Sequence, residues 1–369
     1  MSVKIVFSNK SEELAMVQDI NEQLKGYNSK LIVYFASCFL DLKKVAHLME
    51  NQFPKSEVVG CSSGDEMITG KQFTNSLVAM AFDETILEDV KVEFVKELKT
   101  NVENGVEKAF QGFETHYGTP ANELSYKEYV GLVLVDGNTY VEETFVEKIS
   151  GITNVLFVGG SASDDWKFGP TRVCAEGEAL ENAAVMVLMK PKVGFDVLKT
   201  QSLKSLNKKM VATKVDLAQR AVLEFDGRPA VEVYAEHIGV PLEEVDNQYS
   251  KHPLGVVAGD EIFVRSPYQV MENGGMKLAS SILEGMEVEL LEATNIVEET
   301  KEIIKHVENP LALIQFNCAL RAMELAQTGQ MNEYVDLFSH IPNIGFTCYG
   351  EFYLGHMNQT STMLIFKQS

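Results

Sequence analysis

The sequence predicts an α+β fold of layered sheets and helices, built from about three repeats of a strand-helix-strand-loop-strand unit. Three related glycine loops support this prediction, at residues 60–66, 159–165 and 345–351. Each loop begins with glycine, has serine or threonine two residues later, and contains an acidic residue. Each also follows an apolar run of the kind that forms a buried strand. The hydrophobic share of 45% and the charged share of 23% are those of an ordinary globular protein, so the chain can build such a core.

The first unit begins at the amino terminus. Leu14, Val17, Ile20 and Leu24 recur at helical spacing, which predicts an amphipathic helix. The predicted elements of this unit are strand 3–7, helix 12–24, strand 31–36, helix 40–49, a short strand at 58–59 and strand 76–82.

The second unit repeats the order. A strand at 90–98, a helix at 102–113 and a polar connection at 115–127 lead into it. Its own predicted elements are strand 130–135, helix 140–149, strand 155–158 and strand 183–189. The Thr139 hydroxyl can accept hydrogen bonds from free first-turn amides, so we expect it to cap the helix.

The third unit closes the chain. Its predicted elements are strand 311–316, helices 319–326 and 331–338, a loop entered at 343–345, and strand 361–366. Different material precedes it, with helices expected at 208–225 and 229–238, strands at 255–264 and 286–293, and a helix at 296–307. The polar segment 200–209 is the expected boundary, which gives two domains, 1–203 and 204–369.

Charge and cysteine content restrict the partners and the compartment. The 32 basic and 53 acidic side chains give a net charge of −21, which disfavours nucleic acid and anionic membrane surfaces as partners. We find no apolar run near the ~20 residues of a membrane span, and residues 1–10 do not resemble a signal peptide. The five cysteines contain no CxxC pair, which indicates reduced thiols and a cytoplasmic location.

The glycine loops suggest a site for a small ligand. Glycine at a strand end lets the backbone approach a ligand closely, and hydroxyl groups with free amides can receive a carboxylate or phosphate. The alternative is that the loops are tight turns with local hydrogen bonds. The candidate ligand-binding residues are Gly60, Cys61, Ser62, Ser63, Asp136, Asn138, Gly159, Gly160, Ser161, Cys318, Arg321, Tyr349, Gly350 and Glu351.

Arg321 is the most informative cation in this set. Its guanidinium can pair with a ligand carboxylate at two points, while Glu351 or Asp136 receives an amine. The alternative is a structural salt bridge between Arg321 and Glu351 or another acid. Trp166 follows the second loop and either lines a pocket or packs in the core.

Other chemistries are weaker in the sequence. Cys38, Cys61, Cys318 and Cys348 fall in the loops, where they could bind metal or attack a substrate, although cysteine is also a common small buried residue. Residues 60–64 match the Gly-x-Ser-x-Gly elbow of hydrolases, but no helix follows, and nothing orients His340 or His356 as a base. Such a hydrolase predicts covalent labelling of Cys61 or Ser62 by an electrophile.

The sequence resembles the FIST family, which has an N-terminal and a C-terminal FIST domain. In the N-terminal part the resemblance rests on residues 58–64 and 157–162. In the C-terminal part it rests on Tyr234 and on residues 263–265, 316–321, 345–351 and 358–360.

The resemblance implies a cytoplasmic sensor of a small ligand, with amino acids as the proposed ligand class and no catalytic residue. It also implies coupling to a partner such as a histidine kinase, a cyclic-dinucleotide enzyme or a chemotaxis receptor. No such domain is visible in this sequence, so we expect a separate partner. Similar proteins bind haem and sense nitric oxide; for that alternative His237 and His252 are the axial candidates. We therefore expect a protein that is not an enzyme and needs no cofactor.

Overall fold

The computed structural model describes residues 3–167, 169–259 and 261–368 and confirms the α+β class. In the first unit, strands alternate with two helices and end in a hairpin and a return strand. Its elements are β1 (Lys4–Ser8), α1 (Glu13–Gln23), β2 (Ser29–Ser37), α2 (Leu42–Gln52), β3 (Glu57–Ser63), β4 (Glu66–Ile68), β5 (Lys71–Phe73) and β6 (Leu77–Asp83).

The second unit has the same order of elements. They are β7 (Leu87–Val95), α3 (Leu98–Tyr117), a short 3-10 helix (Ala121–Glu123), β8 (Val130–Val135), α4 (Glu142–Ile152), β9 (Phe157–Ser161), β10 (Val173–Ala175), β11 (Glu178–Leu180) and β12 (Ala184–Pro191).

The third unit begins with β13 (Gly194–Gln201) and is then interrupted by residues 203–293, which we call the insert. The insert consists of β14 (Leu203–Asp216), a 3-10 helix (Leu217–Gln219), β15 (Ala221–Phe225), β16 (Arg228–Pro229), α5 (Ala230–Ile238), a second 3-10 helix (Leu242–Asn247), β17 (Leu254–Ala258), β18 (Glu261–Arg265), β19 (Pro267–Val270), β20 (Met276–Leu278) and β21 (Glu287–Ala293). Its strands form a sheet of their own.

After the insert the third unit resumes. Its remaining elements are α6 (Ile296–Ile304), β22 (Pro310–Cys318), α7 (Ala319–Gln327), α8 (Met331–Asp336), β23 (Asn343–Cys348), β24 (Glu351–Phe352), β25 (His356–Met357) and β26 (Thr360–Lys367).

The three units pair their strands in one order. The sheets run β1-β6-β2-β3, β7-β12-β8-β9 and β13-β26-β22-β23. In each sheet the pair at the end (β2 with β3, β8 with β9, β22 with β23) is parallel, so a helix connects its strands. The three units thus share an order of strand pairing. That they are also repeats in sequence stays a prediction.

Each sheet is completed by a hairpin from another unit. The β4-β5 hairpin of the first unit pairs with β23, the β10-β11 hairpin of the second pairs with β3, and the β24-β25 hairpin of the third pairs with β9. The exchange closes a ring among the three units. Strands on the two sides of residue 203 therefore share sheets, and the predicted division at this point stays a prediction.

The three sheets pack on a common core. Phe35 of the first unit contacts Phe346 and Phe316 of the third, with ring centroids 4.5 and 6.2 Å apart. Leu134 and Val158 of the second unit belong to the same buried cluster. This core fixes the strand ends that carry the glycine loops.

Two local predictions were wrong. Residues 208–225 form β14 and β15 rather than a helix, because the segment buries Met210 and Ala212 at the two-residue spacing of a strand. Thr139 does not cap α4. The helix begins at Glu142, and the Thr139 hydroxyl donates to the Asp136 carbonyl at 3.1 Å.

Candidate functional site

The three glycine loops meet at the carboxyl ends of the parallel strand pairs. The Ser163 hydroxyl accepts from the Gly64 amide at 3.0 Å and donates to the Thr347 carbonyl. The Tyr349 amide donates to the Ser161 carbonyl at 3.1 Å. Segments almost 300 residues apart in sequence thus form one hydrogen-bonded centre, and clefts open beside it, as is usual at strand carboxyl ends.

The first glycines of the loops are required by strand packing. A Cβ atom on Gly60, Gly159 or Gly345 would lie 2.5, 1.8 or 2.6 Å from the carbonyl oxygen of the neighbouring parallel strand. Such distances are far inside van der Waals contact. Gly160 is similarly enclosed, with its Cβ position 3.0 Å from the Phe316 ring. These glycines let two strands approach each other, and ligand approach is not needed to explain them.

Two buried carboxylates occupy equivalent positions in the first and third units. Glu66 accepts from the Ser63 hydroxyl at 2.5 Å and from the Ser76 hydroxyl at 2.7 Å. Glu351 accepts from the Cys348 thiol at 3.3 Å and from the Thr360 hydroxyl at 2.7 Å. Each carboxylate therefore joins a glycine loop to the start of the following strand.

Burial dominates the ionisation of both groups. It raises the pKa of Glu66 to about 8 and that of Glu351 to about 7, although their hydrogen bonds oppose the shift. In the second unit, Asp136 joins a glycine-rich loop to the chain that precedes the next strand. It accepts hydrogen bonds from the Thr171 hydroxyl and the Asn182 amide. These three acids stabilise loops, and none of them lines the clefts described next.

Two clefts lie side by side at this centre. One, of about 490 Å³, is called the α7 cleft; the other, of about 400 Å³, is called the insert cleft. The α7 cleft is lined by Gly64, Asp65, Gln72, Phe73, Thr74, Ser163, Asp165, Trp166, Ala319, Ala322, Met323, Ala326, Gln327, Met331, Thr347 and Tyr349. The insert cleft is lined by Gly137, Asn138, Tyr140, Glu142, Trp166, Arg220, Tyr268, Gln269, Leu278, Ala279, Cys318, Ala319, Leu320, Tyr349 and His356.

Aromatic rings dominate the walls of the insert cleft. Trp166 and Tyr349 stand between the two clefts with ring centroids 6.0 Å apart, and the Tyr349 hydroxyl donates to Asp164. Tyr140 and Tyr268 face the insert cleft only, and each is more than 40% exposed. Large exposed rings gathered around one cavity are unusual unless the cavity binds something.

Three residues that line the insert cleft have strained backbone. Tyr140, Trp166 and Arg220 have φ values of 61°, 61° and 47°, in the left-handed region that bulky side chains rarely adopt. Tyr140 and Trp166 are the only aromatic residues with positive φ in the described part of the chain. Strain of this kind is often retained where a side chain must be held for function.

A buried charge cluster forms one end of the insert cleft. One Nη atom of Arg220 donates to Glu142 at 2.6 Å and also to Glu143, and the other donates to the Ala279 carbonyl at 3.1 Å. The guanidinium also lies 5.0 Å from the Tyr140 ring centroid. Because Arg220 is in the insert and both glutamates are on α4, the cluster ties the insert to the second unit.

His356 lies beside this cluster. Its Nδ1 is 3.0 Å from the Ser280 hydroxyl, and burial lowers the pKa of the imidazole to about 4. Burial acts to raise the pKa of Glu143, but His356, Arg220 and the Ser281 amide outweigh it and lower that pKa to about 2. At neutral pH the imidazole is therefore uncharged, and Glu143 balances the charge of Arg220.

The structure brings three predicted site residues to the insert cleft, namely Asn138, Cys318 and Tyr349. Gly350 packs against His356, a residue of the cleft lining. A Cβ atom on Gly350 would lie 2.1 Å from His356 Nε2. The other predicted residues lie outside the linings of the two clefts. They are Gly60, Cys61, Ser62, Ser63, Asp136, Gly159, Gly160, Ser161, Arg321 and Glu351. Arg321 is on α7, and the rest are in the strand ends and loops that surround the centre.

Arg321 is placed away from both clefts. It is 1% exposed, and its guanidinium donates to Asn317, Ser202, Thr200 and Thr300 at 3.1 to 3.3 Å. These bonds hold together β22, α6 and the junction between β13 and β14. Its predicted role as a carboxylate ligand stays a prediction.

The nucleophile alternatives find little support in this geometry. Cys61, Cys318 and Cys348 are buried, and burial raises the pKa of each thiol well above its usual value. The Ser62 hydroxyl accepts from the Arg172 amide at 3.1 Å, and the chain continues into the β4-β5 hairpin instead of a helix. The described residues contain no cluster of three or more side chains that could hold a metal ion.

The proposed haem ligands do not face the two clefts. His237 is on α5, with Nδ1 2.8 Å from the Val233 carbonyl one turn earlier. His252 follows the second 3-10 helix of the insert, and its carbonyl accepts from the Tyr234 hydroxyl at 2.7 Å. Neither imidazole lines the insert cleft or the α7 cleft, so these residues do not fit an axial role there.

Sequence reasoning missed the residues that the insert contributes. Arg220, Tyr268 and Gln269 carry no recognisable motif. Arg220 falls within the segment predicted to be a helix. The only local signal was the aromatic side chain of Tyr268 near a proline.

Comparison with known proteins assigns two domain models to this chain. The FIST N domain model matches residues 30–228, and the FIST C domain model matches residues 230–354. The "Uncharacterized protein MJ1623" of Methanocaldococcus jannaschii is 23% identical over 323 residues. That match covers 80% of this chain but 62% of the relative, so the chain spans about three fifths of the relative's length.

FIST domains are associated with sensory signal transduction and small-ligand binding. Among the described residues, none of the helices is both long and apolar enough to cross a membrane. The two domain matches together cover most of the sequence and follow each other in order. The chain therefore belongs to the FIST family.

Proposed function

We propose that this protein is a cytoplasmic sensor that binds a small polar ligand, such as an amino acid, in the insert cleft and acts without catalysis. The observation that carries the proposal is the composition of this cleft. Residues from the second unit, the third unit and the insert line one cavity, so a ligand there contacts three separate parts of the chain. Binding can then favour one arrangement of these parts over another.

The size and lining of the cleft support a small metabolite. A cavity of about 400 Å³ is within the range of small-molecule sites. Besides the tyrosine hydroxyls, a small number of polar side chains line the cleft, as expected for a site that orients its ligand: Asn138, Gln269, Glu142, Arg220 and His356. The Asn138 amide nitrogen is held at 2.6 Å from the Gly169 carbonyl, which fixes its carbonyl oxygen for a ligand donor.

The charge cluster offers a route for the signal. Arg220 joins the insert to Glu142 and Glu143 at the start of α4. A ligand that contacts Glu142 changes the balance of this ion pair and hence the attachment of the insert. We propose that a separate partner, such as a histidine kinase or a cyclic-dinucleotide enzyme, detects that change.

The test is a calorimetric binding screen of amino acids, amines and carboxylates with four proteins. Gln269→Ala and Asn138→Ala should each lower the affinity for the best ligand about fivefold, which is the expected loss for one hydrogen bond. Gln72→Ala changes a polar side chain that lines the α7 cleft and not the insert cleft, so this variant should bind the ligand with the affinity of wild type. Weakening by Gln72→Ala alone, or no binder in the whole screen, would contradict the proposal.

A further inference from the structure

The insert cleft is bounded by aromatic rings on several sides. Tyr140 and Trp166 come from the second unit, Tyr349 from the third, and Tyr268 from the insert. Two of these rings are held by strained left-handed backbone, at Tyr140 and Trp166. The negative faces of aromatic rings attract cations, and rings around a cavity are a recurrent way to bind an organic ammonium group.

One ring already makes this kind of contact. The Arg220 guanidinium lies 5.0 Å from the Tyr140 centroid, within the range of a cation–π interaction. This contact is intramolecular, so it stabilises the wall of the cleft. Tyr268, in the strand β19 of the insert, also lines the cleft and is 42% exposed.

The charges around the cleft disfavour an anion. Both Nη atoms of Arg220 donate to Glu142, Glu143 and the Ala279 carbonyl, so the Nη pair is not open to a ligand carboxylate, while the buried Nε has no hydrogen-bond partner among the described residues. Glu143 is ionised and Glu142 adds acceptor oxygens, which face the positive charges of Arg220 and of the nearby Arg265, and His356 is uncharged. The protein as a whole carries −21, which raises the local concentration of cations and repels anions.

We propose that the ligand of the insert cleft carries a positively charged ammonium group, which is seated among the rings of Tyr140, Trp166, Tyr268 and Tyr349. This inference rests on the proposed function and narrows its ligand class to free amines and quaternary ammonium compounds. The positive group of an amino acid can occupy the same position, whereas its carboxylate is not needed for recognition.

The experiment compares choline with its uncharged isostere 3,3-dimethylbutan-1-ol and with isovalerate, by calorimetry on the full chain. Choline should bind saturably, and the uncharged isostere should bind at least about tenfold more weakly, because it lacks the cation–π attraction. Tyr268→Leu should weaken choline about five- to thirtyfold, whereas Tyr268→Phe should retain its affinity because the ring is kept. Tyr126→Leu is the matched control, since Tyr126 is 58% exposed and lines neither cleft.

The outcomes separate the two proposals. If the isostere binds as well as choline, or if isovalerate binds better, the cleft does not recognise positive charge and the inference is wrong, while the sensor proposal stands. Equal losses in Tyr268→Leu and Tyr268→Phe would also overturn it. If no cation and no compound of the wider screen binds, both proposals fail.

Discussion

Gly159→Ala should lower the free energy of unfolding by about 3 kcal/mol, the upper end of the usual cost of overpacking. The new methyl group would lie 1.8 Å from the Val133 carbonyl oxygen and 2.8 Å from its carbon, and neither belongs to a flexible side chain. Relief requires β8 and β9 to separate at the register pair Val133 and Gly159, in a sheet buried on both faces. Urea denaturation of wild type and variant measures the loss.

Gly151→Ala is the matched control for this substitution. Gly151 lies in α4, and nothing is within 4 Å of its Cβ position. Alanine there should stabilise the protein by up to about 1 kcal/mol, because glycine is the weaker helix former. Equal effects of the two substitutions would show that glycine at position 159 is not required by the approach of the strands.

The second large effect concerns pH. Glu66 and Glu351 have a normal pKa near 4.5 when the chain is unfolded, and burial raises these values to about 8 and about 7 in the folded protein. Between the unfolded pKa of 4.5 and the folded pKa of each group, the folded state binds more protons than the unfolded state, so the free energy of unfolding falls as pH rises. The contribution of each group is complete below about pH 4.5 and is lost as pH rises through its folded pKa. The slope reaches about 1.4 kcal/mol per pH unit for each group.

The double substitution Glu66→Gln and Glu351→Gln tests this account. Glutamine keeps an oxygen acceptor but does not titrate, so the variant should lose less stability than wild type between pH 5 and pH 8. Glu333→Gln, on the exposed side of α8, should follow the wild-type profile. Parallel profiles for wild type and the double variant would mean that the two buried carboxyls are not protonated in the folded protein.

Much of the local structure could be predicted from the sequence. Apolar runs predicted the strands that pair in parallel, and the glycines at positions 60, 159 and 345 marked the ends of such strands. The ligand contact assigned to those glycines stays a prediction. The pattern of glycine followed by serine or threonine suggested ligand contact, whereas the backbone contact with a neighbouring strand explains the glycine.

Non-local pairing explains most of what the sequence did not reveal. The hairpins β4-β5, β10-β11 and β24-β25 are only two or three residues per strand, and each pairs outside its own unit. No local pattern indicates such an exchange. Arg220 likewise meets Glu142 across 78 positions of sequence, so its place in the cleft depends on how the insert packs on α4. Arg321, by contrast, follows a suggestive motif, and in the structure its guanidinium is buried and donates to the Ser202 hydroxyl at 3.1 Å.

The most direct test of the ligand site uses the fluorescence of Trp166, because it is the single tryptophan in the sequence and lines the insert cleft. A ligand found by calorimetry should be titrated into the full chain while tryptophan emission is recorded. Our account predicts a saturable change in emission with the calorimetric affinity, and a weaker response in Gln269→Ala. A ligand that binds with full stoichiometry and leaves Trp166 emission unchanged would contradict the assignment of the site to the insert cleft.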